Sequence, residues 1–187
     1  MYFICISGKA RTGKDTFGKI LVDELNGNWV TKAYADILKN KIMEDYELTW
    51  DQLYGDLKEV PDKRYSKYNN TSTDEFWTPR EIMQAYGEFF RSIDPDFWVK
   101  ALMKDCINED STNIIITDVR YPNELDPINR YNGIHIRIHR DHDVYVHNNS
   151  HSSETALDTY SNIDLSIDNN GSIEDLVSKV ENVRKII

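Results

Sequence analysis

The feature that most constrains the fold is a glycine-rich segment that lies between an apolar run and a run with helical spacing. Residues 2–6 are YFICI, residues 8–16 are GKARTGKDT, and residues 17–22 are FGKILV. This order predicts a strand, a loop and a helix. Gly8 and Gly13 allow the loop backbone to curl, so that several N–H groups point into one anion-sized hollow at the helix N-terminus. The segment therefore predicts a phosphate-binding loop.

The loop fits the pattern G-x-x-x-x-G-K, whose lysine reaches the outer phosphates of a bound nucleotide. Lys14 occupies that position, Asp15 takes the place usually given to a Mg²⁺-binding Ser or Thr, and the hydroxyl follows at Thr16. The alternative is an accidental glycine-rich turn, and the order of strand, loop and helix argues against it. The loop residues predicted to bind ATP are Gly8, Lys9, Arg11, Thr12, Gly13, Lys14, Asp15 and Thr16.

Length and charge indicate one compact catalytic domain that binds small molecules. The chain has 187 residues, a net charge of −10 and a pI near 4.9. An acidic chain of this kind is a poor binder of nucleic acid polymers, which need clustered Lys and Arg, whereas a few local cations suffice for a small phosphorylated substrate. No apolar stretch approaches the roughly 20 residues of a membrane span. We therefore expect a soluble cytoplasmic protein without a leader, with Cys5 and Cys106 as small buried side chains.

Apolar runs alternate with helical stretches along the chain, which predicts parallel strands joined by crossover helices. The run Ile114, Ile115 and Ile116 indicates a central strand that is covered on both faces and lies beside the first strand. A helix that follows Ser172 is expected to cover the sheet. The predicted fold is α/β, with a five-stranded parallel sheet and helices on both faces, and the predicted strands are 2–7, 29–34, 113–117, 133–139 and 163–167.

The segment 36–108 is too long for a simple crossover and is predicted to be a mainly helical insertion. In open α/β sheets, ligands collect outside the carboxyl ends of the strands, so we expect this insertion to hold a second substrate. Thr78 followed by Pro79 predicts a helix start, with Thr78 as the N-cap. Tyr86 and Phe90 lie on one face of that helix, where a place in the core is favoured over contact with the substrate.

Acidic and basic residues follow the most buried predicted strand. Asp118 lies at its carboxyl end, where an acid would face the metal ion bound by nucleotide phosphates. Arg120 is two residues further and can reach the same cleft. A solvated pair at a strand end is the structural alternative. Asp36 follows the second strand, where it could orient the acceptor or simply cap a helix.

The five histidines fall between residues 135 and 151. His135 and His139 alternate with isoleucines, which predicts a strand with one apolar and one polar face. Metal binding is disfavoured because the spacings are loose and a second ligand cluster is missing. The segment 140–155 is polar and lies where P-loop kinases place a lid over ATP, so similarity to those kinases implies a lid here. Arg137 and Arg140 are candidates for phosphate contact when it closes, and a solvated surface is the alternative for either.

The motifs together resemble the deoxynucleoside monophosphate kinases encoded by bacteriophages. The resemblance rests on segments that run in family order from residue 8 to residue 154. These segments are GKARTGKDT (8–16), ADILK (35–39), TPR (78–80) with Gln84, Gly87 and Arg91, IDPDFW (93–98), TDVRYPNE (117–124) and HSSE (151–154). This resemblance implies the P-loop kinase fold and Mg²⁺-dependent transfer of the ATP γ-phosphoryl group to a 5′-monophosphate.

The resemblance and the physics of phosphoryl transfer together assign roles to residues, since catalysis of this reaction is mostly alignment and charge neutralisation. Lys14, Arg91, Asp118 and Arg120 are the predicted catalytic residues; Asp15, Thr16 and Asp118 are predicted to bind Mg²⁺. The acceptor would be bound by Asp36, Lys39, Arg80, Gln84, Arg91 and Trp98. A phosphomevalonate-type kinase and a non-enzymatic nucleotide switch are the alternatives. A homodimer is possible, and a phage protein would act in the host cytoplasm.

Overall fold

A computed structural model describes residues 1–67, 75–107, 112–141 and 152–187. The chain forms two compact units. The first, which we call the sheet unit, comprises Met1–Tyr34 and Val99–Ile187. The second, the insertion unit, comprises Ala35–Trp98. The predicted insertion boundary near residue 108 therefore differs from the end of this compact unit at Trp98.

The sheet has five parallel strands in the order β2-β3-β1-β4-β5, which confirms the predicted sheet and the place of the isoleucine-rich strand beside the first strand. The second strand is two residues shorter than predicted because a helix begins at Tyr34. The strands are β1 (Tyr2–Ser7), β2 (Trp29–Lys32), β3 (Asn113–Val119), β4 (Asn132–His139) and β5 (Leu165–Asp168).

Helices connect and cover these strands, and the predicted C-terminal helix is divided in two at Lys179. Short 3₁₀ helices span Asp56–Glu59 and Pro122–Leu125. In the described parts of the chain, none of the helices has the length and apolar character required to cross a membrane. The α-helices are α1 (Lys14–Glu24), α2 (Tyr34–Tyr46), α3 (Trp50–Leu53), α4 (Pro79–Ile93), α5 (Phe97–Ile107), α6 (Asp126–Arg130), α7 (Ser152–Thr155), α8 (Ile173–Ser178) and α9 (Val180–Arg184).

Both faces of the sheet are covered, as predicted. Successive side chains of a strand point to opposite faces, so Phe3 and Ile4 face different layers. Ile4 belongs to a buried cluster that includes Leu21 of α1 and Val180 of α9. On the opposite face, the Phe3 ring lies 5.3 Å from the ring of Tyr131, which follows α6. The two cysteines are buried and unbridged, as expected.

The insertion unit has a core of its own. Four of its aliphatic residues form a buried cluster, namely Ile42, Leu48, Leu53 and Ile82. Helix α4 begins as predicted: the Thr78 hydroxyl accepts a hydrogen bond from the Glu81 N–H, the Glu81 side chain binds back to the Thr78 N–H, and Pro79 is the first helical residue. Such a capping box satisfies N–H groups that would otherwise lack partners. Helix α4 therefore has a capped N-terminus and packs on the core of the insertion unit.

Aromatic rings join α4 to the start of α5 within the insertion unit. The Phe90 ring lies 4.9 Å from that of Tyr86, 4.5 Å from that of Phe97 and 5.7 Å from that of Trp98, measured between ring centroids. Contacts of this kind add to the burial of apolar area. The predicted packing role of Tyr86 and Phe90 is therefore confirmed.

Candidate active site

The loop between β1 and α1 has the conformation that its glycines were expected to allow. Gly8 has φ 151° and Gly13 has φ 95°, and both values are unfavourable for other residues. A Cβ atom on Gly8 would lie 2.4 Å from the Ile138 carbonyl oxygen. Arg11 also has positive φ, at 62°. The loop therefore closes tightly against β4 and leads directly into the N-terminus of α1.

Lys14 lies inside the curl of this loop. Its side chain is only 8% exposed, and the Nζ atom donates hydrogen bonds to the carbonyl oxygens of Gly8 (2.8 Å) and Lys9 (2.7 Å). Burial, and after it the nearby Arg120 guanidinium, lowers the pKa of Lys14 to about 8, although neighbouring carboxylates oppose the shift. The ammonium group is thus held at the loop by backbone carbonyls, and it loses its proton at a lower pH than an ordinary lysine does.

A carboxylate from α7 binds the loop. Glu154 of α7 accepts a hydrogen bond from the Ala10 N–H (3.3 Å) through Oε2, and its Oε1 is bound by the Arg120 guanidinium. Burial lowers the pKa of Arg120, but attraction to the Glu154 carboxylate outweighs this effect. The pKa of Arg120 therefore lies above its usual value. A loop N–H and an arginine therefore hold an anion in this structure, which shows that the loop fits an anionic group.

Two predicted Mg²⁺ ligands lie at the carboxyl end of the sheet, each with one oxygen already hydrogen-bonded. Asp15 Oδ1 accepts a hydrogen bond from the Thr117 hydroxyl (2.8 Å), and Asp118 Oδ1 accepts one from the Tyr34 N–H (2.9 Å). Thr16 is exposed in the first turn of α1. Within the described ranges, no group of three or more His, Cys, Asp or Glu side chains is arranged to hold a metal ion. These residues suit Mg²⁺, which proteins commonly hold through one or two carboxylates, substrate phosphates and water.

The turn after β3 is fixed by a buried carboxylate. Glu124 is 2% exposed, and its Oε2 accepts hydrogen bonds from the backbone N–H groups of Arg120 (2.7 Å) and Tyr121 (3.1 Å). The Tyr34 hydroxyl donates to the Glu124 carbonyl oxygen (2.8 Å). Glu124 therefore sets the direction in which Arg120 leaves the strand.

The Arg137 guanidinium is bound by backbone carbonyl groups. Its guanidinium donates to the carbonyl oxygens of Leu157 (2.8 Å) and Tyr160 (3.2 Å), so its predicted contact with phosphate is not supported by its present partners. Arg140 is described and exposed at the start of the predicted lid. Most of that lid, residues 142–151, lies outside the described residues, together with His142, His147 and His151.

His135 faces the interior and not solvent. Its Nε2 atom lies 2.7 Å from the Ser7 hydroxyl, and its Nδ1 atom lies 3.0 Å from the Asn162 carbonyl oxygen. A carbonyl only accepts, so Nδ1 carries the proton and the Ser7 hydroxyl donates to Nε2. Burial lowers the pKa of His135, which keeps the ring neutral. The pair supports the last residue of β1, directly before the loop.

Two of the predicted acceptor residues lie together in the insertion unit. Lys39 Nζ is 3.8 Å from Asp36 Oδ1 and 3.7 Å from the centroid of the Tyr54 ring. The Tyr54 hydroxyl donates to the same Asp36 oxygen (3.0 Å). Burial, followed by the Asp36 charge, raises the pKa of Tyr54 to about 12. Sequence reasoning missed Tyr54 because nothing in the spacing of residues 36, 39 and 54 indicates this contact.

The other predicted acceptor residues, all on α4 or α5, have different surroundings. Arg80 is half-exposed and forms an ion pair with Glu59. Gln84 is half-buried, and the guanidinium of Arg91 lies over Gly87. Trp98 is 2% exposed and donates its indole N–H to the Gly87 carbonyl oxygen (3.2 Å), so it packs within the unit and presents no free face to a base.

Sequence reasoning missed several residues that shape the loop. The Asn169 side chain donates to the Thr12 carbonyl oxygen (2.8 Å) and would contact any Cβ on Gly13 at 2.4 Å. Glu124 and Glu154 belong to motifs that carried the family resemblance, but no role was assigned to them. Their places in those motifs were the signals that could have identified both.

Known proteins similar to this chain agree on one family. The family profile described as "Deoxynucleotide monophosphate kinase" matches residues 55–180. A protein of Acanthamoeba polyphaga mimivirus named "Putative deoxynucleotide monophosphate kinase" is 28% identical over 198 residues, which cover 96% of this chain and 94% of that protein. The deoxynucleotide monophosphate kinase of Enterobacteria phage T4 is 29% identical over 116 residues, which cover 59% of this chain and 47% of that protein.

A solved structure agrees with the fold. The crystal structure of a "putative kinase" from Chloroflexus aurantiacus has a TM-score of 0.50 and 13% identity, and the match covers 98% of this chain and 96% of that one. At this identity the likeness concerns the fold alone. The family profile covers more than half of the chain, and the resemblance stated from the motifs is confirmed. The chain therefore belongs to the deoxynucleotide monophosphate kinase family and is an ATP-dependent phosphotransferase.

Proposed function

We propose that the loop 8–16 holds the phosphates of ATP and that the enzyme transfers the γ-phosphoryl group to a deoxynucleoside monophosphate, giving ADP and a deoxynucleoside diphosphate. The observation that carries this proposal is the anion already held by the loop, where the Ala10 N–H and Arg120 both bind the Glu154 carboxylate. A phosphate oxygen is recognised by the same N–H and guanidinium donors.

Charge neutralisation is the main contribution of the sheet unit. Phosphoryl transfer proceeds through a loose transition state in which charge is spread over the transferred group, so preorganised cations lower the barrier. Lys14 is buried at the loop and Arg120 leaves the adjacent strand end, where Glu124 fixes its backbone. A general base is unnecessary, because the acceptor phosphate is an anion at neutral pH.

Mg²⁺ would be held by Asp15, Thr16 and Asp118, directly or through water. When bound, the ion neutralises charge on the ATP phosphates and orients them. Asp15 and Asp118 are already oriented by the Thr117 hydroxyl and by the Tyr34 N–H, respectively. These hydrogen bonds keep both carboxylates in fixed directions before the ion arrives.

The insertion unit would bind the acceptor. Asp36, Lys39 and Tyr54 form a connected polar group there, and Arg80 is a surface cation in an exposed ion pair. An arginine fork matches two phosphate oxygens, and an exposed ion pair costs little to exchange for a phosphate. We also place the reaction in the host-cell cytoplasm, in keeping with viral relatives; a homodimer remains a prediction.

The proposal is tested by a coupled ADP-release assay across the four dNMPs, the four matching NMPs and phosphomevalonate. We expect turnover with at least one dNMP and little with phosphomevalonate. ADP release with phosphomevalonate alone would contradict the proposed acceptor. ADP release that is independent of any acceptor would indicate a nucleotide hydrolase or switch. Comparison of each dNMP with its NMP measures the preference for deoxyribose.

A further inference from the structure

We infer that Glu154 occupies the place of a nucleotide phosphate in the free enzyme, and that ATP must displace its carboxylate in order to bind. The inference rests on the proposed assignment of the loop to ATP. Both oxygens of this side chain are held by donors of the nucleotide site: Oε2 by the Ala10 N–H at 3.3 Å and Oε1 by the Arg120 guanidinium. The carboxylate therefore uses hydrogen bonds that a bound phosphate would need.

The backbone around Glu154 is built to keep it there. The Lys9 ammonium donates to the Glu154 carbonyl oxygen (2.5 Å) and also binds Asp158. The Ser152 hydroxyl lies 2.8 Å from the Tyr121 hydroxyl. Lys9 and Tyr121 of the sheet unit thus hold the short helix α7, and the Glu154 side chain reaches the loop from a defined position. Release of the carboxylate requires only a change in the side-chain torsions of Glu154.

Electrostatics makes coexistence with ATP unfavourable. Glu154 is one of the carboxylates whose charge acts on Lys14, so it lies close to the cation that would hold the outer phosphates. A triphosphate in the same hollow would face that negative charge in a partly buried setting, where repulsion is screened less than in bulk water. A protein whose competent state is only partly populated binds its ligand more weakly by that fraction. The Glu154 carboxylate should therefore weaken the observed affinity for ATP.

The experiment is calorimetric titration with a non-hydrolysable β,γ-imido analogue of ATP and, separately, with inorganic tripolyphosphate. Glu154→Gln removes the charge but retains the shape, and we expect the Kd of both probes to fall about tenfold. Glu24→Gln, at the opposite end of α1 from the loop, is the matched control: it makes the same chemical change but leaves the Ala10 N–H and Arg120 bound to Glu154. We expect a change of less than about twofold there, on the same ground.

Each outcome decides a separate question. An unchanged or higher Kd in Glu154→Gln, or an equal fall in Glu24→Gln, overturns the inference, since the first indicates that Glu154 positions Arg120 and the second that only net charge matters. If Glu154→Gln does not fold, as judged by thermal melting, Glu154→Asp takes its place, because the shorter side chain withdraws the carboxylate. Lys14→Ala tests the loop itself. Unchanged affinity for the analogue in that variant contradicts the proposed ATP site. Weaker affinity supports the ATP site, and the Glu154→Gln result then decides whether Glu154 competes with ATP.

Discussion

The phosphate loop and the insertion unit hold their charged groups in opposite ways. In the loop, Lys14 is almost fully buried and its ammonium is bound by the backbone carbonyls of Gly8 and Lys9. In the insertion unit, Arg80 and Glu59 form an ion pair in which both side chains are about half exposed, at 50% and 54%. The loop cation is therefore preorganised by local backbone geometry, whereas the exposed Arg80 of the insertion unit can exchange its partner at little cost.

The energetic consequences differ accordingly. Exposed ion pairs typically contribute about 0–1 kcal/mol, so Arg80 gives up Glu59 at little cost. Burial removes most of the hydration of Lys14 and lowers its pKa, so an anion that stabilises the charged ammonium is favoured. We therefore expect large effects from changes at the loop and small, acceptor-specific effects from changes in the insertion unit. Four predictions test this comparison.

The largest effect should come from Lys14→Ala. The change removes a preorganised cation that the transition state uses most, and we expect kcat to fall on the order of 10²-fold or more, about 3 kcal/mol. The measurement is the coupled ADP-release assay, with thermal melting to verify the fold. Lys19→Ala, on the exposed side of α1, is the control and should retain activity. Turnover near that of the parent in Lys14→Ala would remove the catalytic role of the loop.

The second effect concerns Asp118→Asn. The amide can still accept the hydrogen bond from the Tyr34 N–H, so the change isolates the charge from the geometry. We expect the Mg²⁺ concentration for half-maximal activity to rise about 10- to 100-fold, with recovery at high Mg²⁺. Asp168→Asn, at the exposed end of β5, is the matched control. An unaltered Mg²⁺ dependence in Asp118→Asn would assign Asp118 to structure instead.

The third effect is the pH dependence of ATP binding. Below pH 8 the Lys14 ammonium is charged in both the free and the loaded enzyme, so its protonation contributes no pH dependence there. Above about pH 8 the free enzyme loses this proton, and binding of the anionic nucleotide must restore it. The affinity should then decrease with pH, by at most about tenfold per pH unit. Calorimetry in buffers of different ionisation enthalpy measures the proton uptake.

Lys14→Arg provides the control for this pH dependence. Arginine stays protonated throughout this range, so the variant should bind ATP without proton uptake between pH 8 and 10. Proton uptake of equal size in Lys14→Arg would mean that another group titrates. Comparison of the parent enzyme with Lys14→Arg separates the effect of the positive charge from the effect of its titration. The titration near pH 8 results from the burial of Lys14.

The sequence predicted the loop region well because its determinants are local. Gly8, Gly13 and Lys14 are fixed by spacing within one strand, one turn and one helix, and such patterns are read directly from adjacent residues. The side chains that complete the loop come from far along the chain. Glu154 reaches Ala10 across 144 residues, and Asn169 reaches Thr12 across 157. Spacing carries no information on such pairs, so they were not predicted.

The same reasoning explains what happened in the insertion unit. The start of α4 was predicted because Thr78, Pro79 and Glu81 act within four residues. Trp98 was predicted to contact substrate, but its ring packs among aromatic neighbours and its N–H binds the Gly87 carbonyl oxygen. An aromatic residue in a helix is equally compatible with packing and with binding, and only tertiary contacts decide between them.

The smallest effect should come from Arg80→Lys, and it tests the exchangeable character of the insertion unit most directly. Lysine retains the charge, and it can still pair with Glu59, but it lacks the two parallel N–H donors that match a phosphate. If Arg80 exchanges Glu59 for the acceptor phosphate, the KM for the dNMP should rise about fivefold, equivalent to roughly 1 kcal/mol, while the Kd for ATP stays unchanged.

Glu59→Gln is the companion variant for this prediction. It releases Arg80 from its present partner, so the KM for the dNMP should stay the same or fall slightly, by no more than about twofold, because the exposed pair is weak. A raised KM in Glu59→Gln would mean that the ion pair positions Arg80 and is retained on binding. If Arg80→Lys weakened ATP and left the dNMP unaffected, the acceptor would have to be assigned outside the insertion unit. Arg80 would then be a surface residue without a role in substrate binding, and it would differ from Lys14 in function as well as in burial.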